Sequence, residues 1–222
     1  MLPFNRSEFI EVFAQYNLAV WPMQVLAYAL GAAMVAALWR GSRSSGIFIA
    51  GGLAAMWLWT GIVYQWMHFA SINRAAIGFG AMFVLQGILL AVAATLGKLR
   101  FQPPSGTSAW LGAALVIYAA ALYPIVGGLA GDKYPAMPMF GIAPCPVVIF
   151  TFGMLLLATS HVPRWLLVIP VVWSLIGGSA AFLLGIQQDW LLLLSGLSVL
   201  VIVWQERRER ERGAQIATAR RP

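Results

Sequence analysis

Acidic residues are nearly missing from this 222-residue chain, which has seven in all and, between Glu11 and Glu206, only Asp132 and Asp189. Asp132 falls in a loop and Asp189 at the very start of the last apolar run, so carboxylate-gated proton or sodium coupling loses its usual mid-membrane residues. A single cysteine, Cys145, excludes an intramolecular disulfide and a four-cysteine metal or iron-sulfur site. The only lysines, Lys98 and Lys133, fall in loops, which leaves a retinal Schiff base without an attachment point. The only histidines, His68 and His161, are expected on opposite sides of a bilayer, so a bis-histidine haem lacks two ligands on one face. No G-x-S-x-G elbow, HExxH pair or Walker lysine motif is present, and no cofactor can be read from the residues.

What remains is apolar: 61% of residues are hydrophobic and 9% charged, outside the range of soluble globular domains. Apolar runs predict seven transmembrane helices, at about Val20–Trp39, Gly46–Ala70, Ala75–Gly97, Ala109–Gly128, Ile142–Ser160, Trp165–Leu184 and Gln187–Trp204. The fold class is therefore all-α, a polytopic integral membrane bundle occupying residues 20–204. Lysine and arginine placement orients it. Arg40, Arg43, Lys98, Arg100, Arg164 and the six arginines from Arg207 to Arg221 fall on one side, against Arg6, Arg74 and Lys133 on the other. The N-terminus is expected outside and the C-terminus in the cytoplasm. The net charge of +7 then points to anionic lipid headgroups at the cytoplasmic face rather than to nucleic acid.

Residues 1–19 read as an amphipathic interfacial helix. Asn5 and Glu8 have capping-box spacing, and Phe9, Ile10, Phe13 and Tyr16 share a face opposite Glu8, Glu11 and Gln15. With two acids and no long apolar run before Val20, the segment is a poor signal peptide. Residues 205–222 read as a charged cytoplasmic tail, with Glu206 and Arg210 one helical turn apart.

Inside the apolar runs, polar side chains are scarce enough to single out. Thr60, Gly61, Tyr64, Gln65 and His68 recur at helical spacing on the second span, toward its outer end, and Gln86 sits in the middle of the third. Thr60, Tyr64, Gln65, His68 and Gln86 are the candidate solute-binding residues; plain interhelical hydrogen bonding is the alternative for each. The external loop 129–145 carries three prolines, Pro135, Pro138 and Pro144, with Pro146 just beyond, among apolar residues and has to pack on the bundle or re-enter it. With Asn73 it supplies the candidate mouth: Asn73, Asp132, Tyr134 and Cys145. Met137, Met139 and Cys145, on the same side as His68, form a candidate set for a soft metal, although methionine is also ordinary apolar filler.

The chain resembles a bacterial family of uncharacterised small multi-pass membrane proteins, some loosely labelled transporter permeases. The likeness runs over nearly the whole length and is carried by Leu2-Pro3-Phe4, Phe9 to Trp21-Pro22, Phe83-Val84-Leu85-Gln86-Gly87, Tyr134-Pro135, Pro144-Cys145-Pro146 and Pro163-Arg164-Trp165-Leu166. It implies a bacterial inner (plasma) membrane and supplies no reaction or ligand. Three readings follow: a small permease or channel-like protein for a neutral or weakly polar solute with an outward-opening mouth; a non-transporting scaffold, assembly factor or sensor docking a partner through its external loop; and soft-metal handling by Cys145 with Met137 and Met139. A homo-oligomer or a membrane-protein partner fits the second. An enzyme is the least supported, since one histidine and one cysteine near a mouth are too few to fill acid, base and nucleophile roles.

Overall fold

A computed structural model describes residues 3–199. The charged tail at 205–222 and the end of the seventh predicted span lie outside them. The described residues are helical apart from turns and one isolated bridge between Phe101 and Ala158. In chain order the helices are α1 (Arg6–Ala19), α2 (Met23–Leu38), α3 (Arg43–Trp59), α4 (Ala76–Thr95), α5 (Thr107–Ile117), α6 (Tyr123–Leu129), α7 (Pro144–Leu156) and α8 (Trp165–Leu184). Helical backbone resumes over residues 190–199. α3 runs on through a π-helical stretch, Thr60–Trp66, and α5 joins α6 through a second, Tyr118–Leu122.

Four of these segments are long and apolar enough to cross a membrane: Arg43–Ser71, Ala76–Thr95, Thr107–Leu129 and Trp165–Leu184. A fifth results if α1 and α2, bent by 84°, count as one. The bend follows from Pro22, which has no N–H to continue a helix. α1 starts where its capping box predicts: the Asn5 side chain accepts from the Glu8 amide at 3.0 Å, and the Glu8 carboxylate accepts from the Asn5 amide at 2.8 Å.

The fifth predicted span is shorter than the apolar run that signals it. α7 has 13 residues, about 20 Å of helix against about 30 Å of hydrocarbon. It begins at Pro144, where a first-turn proline costs no hydrogen bond. It ends at Leu156 because the following backbone pairs sideways, Thr159 N donating to Arg100 O at 2.8 Å. Every residue from Pro144 to Leu155 is buried, so α7 is the axis of the bundle. Close approach to α5 depends on two glycines: a Cβ on Gly153 would lie 2.8 Å from the Gly112 carbonyl, and one on Gly112 would lie 2.7 Å from the Gly153 carbonyl. On another side, Trp57 of α3 donates to the Thr151 hydroxyl at 2.8 Å.

The connections sort to two ends. Residues 39–43, 96–102 and 157–160 meet at one: Gly46 lies against the Leu99 carbonyl, and Arg100 N donates to the Ser160 hydroxyl at 3.0 Å. This end carries Arg40, Arg43, Lys98 and Arg100. At the other end α1 clasps the proline-rich segment, Asn17 donating to the carbonyls of Pro135 and Met137 at 2.6 and 2.7 Å and Tyr16 donating to Ile142 O at 2.9 Å. The bundle's outer surface is apolar, with Leu85 and Ile88 each 49% exposed on α4 and Leu183 74% exposed on α8. That distribution suits a lipid surround better than water.

Candidate functional site

At the α1 end, a cavity of about 200 Å³ lies between α1, the π-helical stretch, the start of α7 and α8. Its walls are mostly Phe4, Phe9, Phe13, Phe69, Phe79 and the aliphatic side chains of α8. The polar lining is sparse: Tyr64, Gln65, Asn73, Cys145, Trp173, Ser179 and Asp189.

Four buried polar atoms of these lining residues have no hydrogen-bond partner: the Tyr64 hydroxyl, both ends of the Gln65 amide, and Trp173 Nε1. Their residues are 1%, 0% and 5% exposed, respectively. An unpaired buried polar group costs about 1–3 kcal/mol, so their concentration around one small space marks a place built for something polar. Backbone geometry helps present them. Within Thr60–Trp66 the ladder lengthens, Met67 N donating to Ile62 O five residues back at 3.2 Å. Such π-type turns inside helices recur at functional sites. The Tyr64 ring is held stacked on Phe13 and Phe69, at centroid distances of 4.9 and 5.7 Å, with Tyr16 edge-on at 5.3 Å. Trp173 is held edge-on against Phe79 and Phe83, at 5.3 and 4.8 Å.

Of the predicted solute-binding residues, Tyr64 and Gln65 line the cavity. The others are placed apart from it. The Thr60 hydroxyl bonds back to Met56 O at 2.8 Å, and His68 Nδ1 lies 2.8 Å from Val63 O with its ring against Tyr16. Gln86 is fully buried and donates to Leu166 O at 2.9 Å, its own carbonyl oxygen being unpartnered. Of the predicted mouth residues, Asn73 and Cys145 line the cavity, and Tyr134 is 46% exposed away from it.

Asp132 is interior rather than at a rim. It is 4% exposed, pairs with Arg6 at 2.5 Å, and accepts from Gln188 Nε2 at 3.0 Å. Asp189, which sequence reasoning left aside, is 2% exposed on the cavity wall and accepts from the Tyr123 hydroxyl. It sits in the turn Gln187–Asp189, ahead of the helical backbone that starts at residue 190. Trp173 and Asp189 were not among the candidate site residues because the spans that contain them, 165–184 and 187–204, read as plain apolar helix; the one available cue was that each is a polar-capable residue within a predicted span.

No group of three or more His, Cys, Asp or Glu able to hold a metal ion occurs among the described residues. Within the soft-metal set, Cys145 faces the cavity, and Met137 is buried near Gly127.

Fold and site together define, over the described residues, an all-helical protein with several bilayer-length apolar helices and a mainly apolar cavity at one end. The chain belongs to the family of unknown function DUF6064, which it matches over residues 6–214. No curated protein and no solved structure matches it.

Proposed function

We propose that this chain is an integral membrane protein of the bacterial inner membrane that binds a neutral or weakly polar solute in the α1-end cavity, as a small permease or channel-like protein. The observation that carries the reading is the cluster of four unpartnered polar atoms on Tyr64, Gln65 and Trp173 around an apolar space of about 200 Å³. A dry apolar cavity of about 150 Å³ accommodates benzene, so this one suits a compact molecule slightly larger, with one or two hydrogen-bonding groups.

The topology that goes with it has seven crossings, the N-terminus outside. Alternation of the connections between the two ends supports it, as does the gathering of Arg40, Arg43, Lys98 and Arg100 at one end, where anionic headgroups would meet them. The cavity then belongs to the outer side. Impermeant thiol labelling of single cysteines at the exposed positions 42, 133 and 134, in a Cys145→Ala background, tests this: labelling from outside at 42 rather than at 133 and 134 inverts the assignment.

Reconstituted liposomes test the function. Swelling rates with small neutral solutes such as glycerol, urea and benzyl alcohol should exceed those of protein-free vesicles and fall several-fold in Gln65→Leu and Tyr64→Phe. Rates equal to protein-free vesicles, together with no binding by calorimetry, would remove the reading. Binding without flux would favour a sensor that reports cavity occupancy through α1, whose Phe13 and Tyr16 pack on Tyr64.

A further inference from the structure

Resting on the cavity reading, we infer that the ligand is an uncharged amphiphile with a hydroxyl or amide head, and that it enters sideways from the bilayer past α8 rather than straight from water. The chemistry of the head is set at the buried end. Gln65 offers an amide donor and acceptor, Tyr64 a hydroxyl and Trp173 an N–H, none of them engaged with protein. A group that both donates and accepts complements this set in chemistry. Among the described residues no Lys, Arg or His lines the cavity, so a phosphate or carboxylate head meets no countercharge there, and Asp189 on the wall repels it.

The tail is set by the opposite wall. The lining continues from the buried Trp173 along α8 to Ile176, Ser179 and Leu183, of which Ile176 is 36% and Leu183 74% exposed. These residues lie on the flank of a 20-residue helix apolar enough to span a bilayer, so the rim opens where acyl chains run. Phe69 and Phe79 line the same cavity. About 200 Å³ takes a head and a few methylenes, and the rest of a long chain lies over the α8 rim against lipid.

The test uses the full chain in liposomes with two photoactivatable probes of equal length, a diazirine-bearing hexadecanol and a diazirine-bearing palmitate, with benzyl alcohol binding followed by calorimetry in parallel. The alcohol probe should label peptides containing Ile176–Leu183 and Phe69–Phe79 at least fivefold more than the palmitate probe. Labelling should fall at least fivefold in Ser179→Trp, a rim change at an exposed position, and in Gln65→Leu. Equal labelling by palmitate, or labelling indifferent to Ser179→Trp, overturns the inference. Gln65-dependent benzyl alcohol binding without hexadecanol labelling overturns it too, while leaving the cavity reading intact. Neither probe class binding overturns both.

Discussion

Replacing Gly153 by alanine tests the packing on which the bundle depends. The added Cβ would sit 2.8 Å from the Gly112 carbonyl and 2.9 Å from Val116 N, whereas ordinary contact begins near 3.4 Å. Both obstacles are α5 backbone, which cannot rotate away as a side chain could, so α5 and α7 must part by about 0.6 Å at their crossing. Because α7 is buried on all sides, that displacement is passed to α3 and α8 rather than absorbed at a surface. Overpacking of this kind costs about 1–3 kcal/mol, and close small-residue contacts are what hold helices together where lipid removes the hydrophobic drive. For a chain of this size the expected loss in Tm is roughly 2–12 °C. Gly51→Ala is the control: a Cβ there meets nothing within 4 Å, and alanine's helix propensity favours it by up to about 1 kcal/mol. Thermal unfolding of the purified protein in mild detergent, followed by light scattering and by the near-ultraviolet signal, reads both variants. A Gly153→Ala protein as stable as Gly51→Ala would refute the α5–α7 contact. Gly112→Ala should repeat the loss, and the double variant should fall short of the two losses added, since helices already parted admit the second methyl at less cost.

A further perturbation addresses the charged groups. Arg6→Met should destabilise by about 1–3 kcal/mol, because it leaves Asp132 buried without its cation, whereas Arg6→Met combined with Asp132→Leu should recover most of the loss; a double variant no better than the single would refute a pairwise role.

Helix, lipid-compatible surface and the capped start of α1 were legible in the sequence because each depends on residues close together along the chain. Asn5 and Glu8 sit three apart, and apolar runs of about twenty residues announce themselves. The same locality explains why Tyr64 and Gln65 could be singled out: polar side chains are rare in the second span. Locality also explains the misplacements. Thr60 and His68 share their helical stripe, yet the first bonds back to its own helix and the second to the Val63 carbonyl, and nothing in the spacing distinguishes a satisfied polar group from a free one. Composition had already committed the chain to helices with apolar surroundings, since so few charges cannot support a water-facing shell. Only the tertiary structure showed that α7 is a short buried axis, that Asp132 lies inside with Arg6, and that Trp173 and Asp189 meet Tyr64 and Gln65 around one cavity. Those facts join positions more than a hundred residues apart, where side-chain direction and helix packing, not local propensity, determine which groups meet and which remain unpaired.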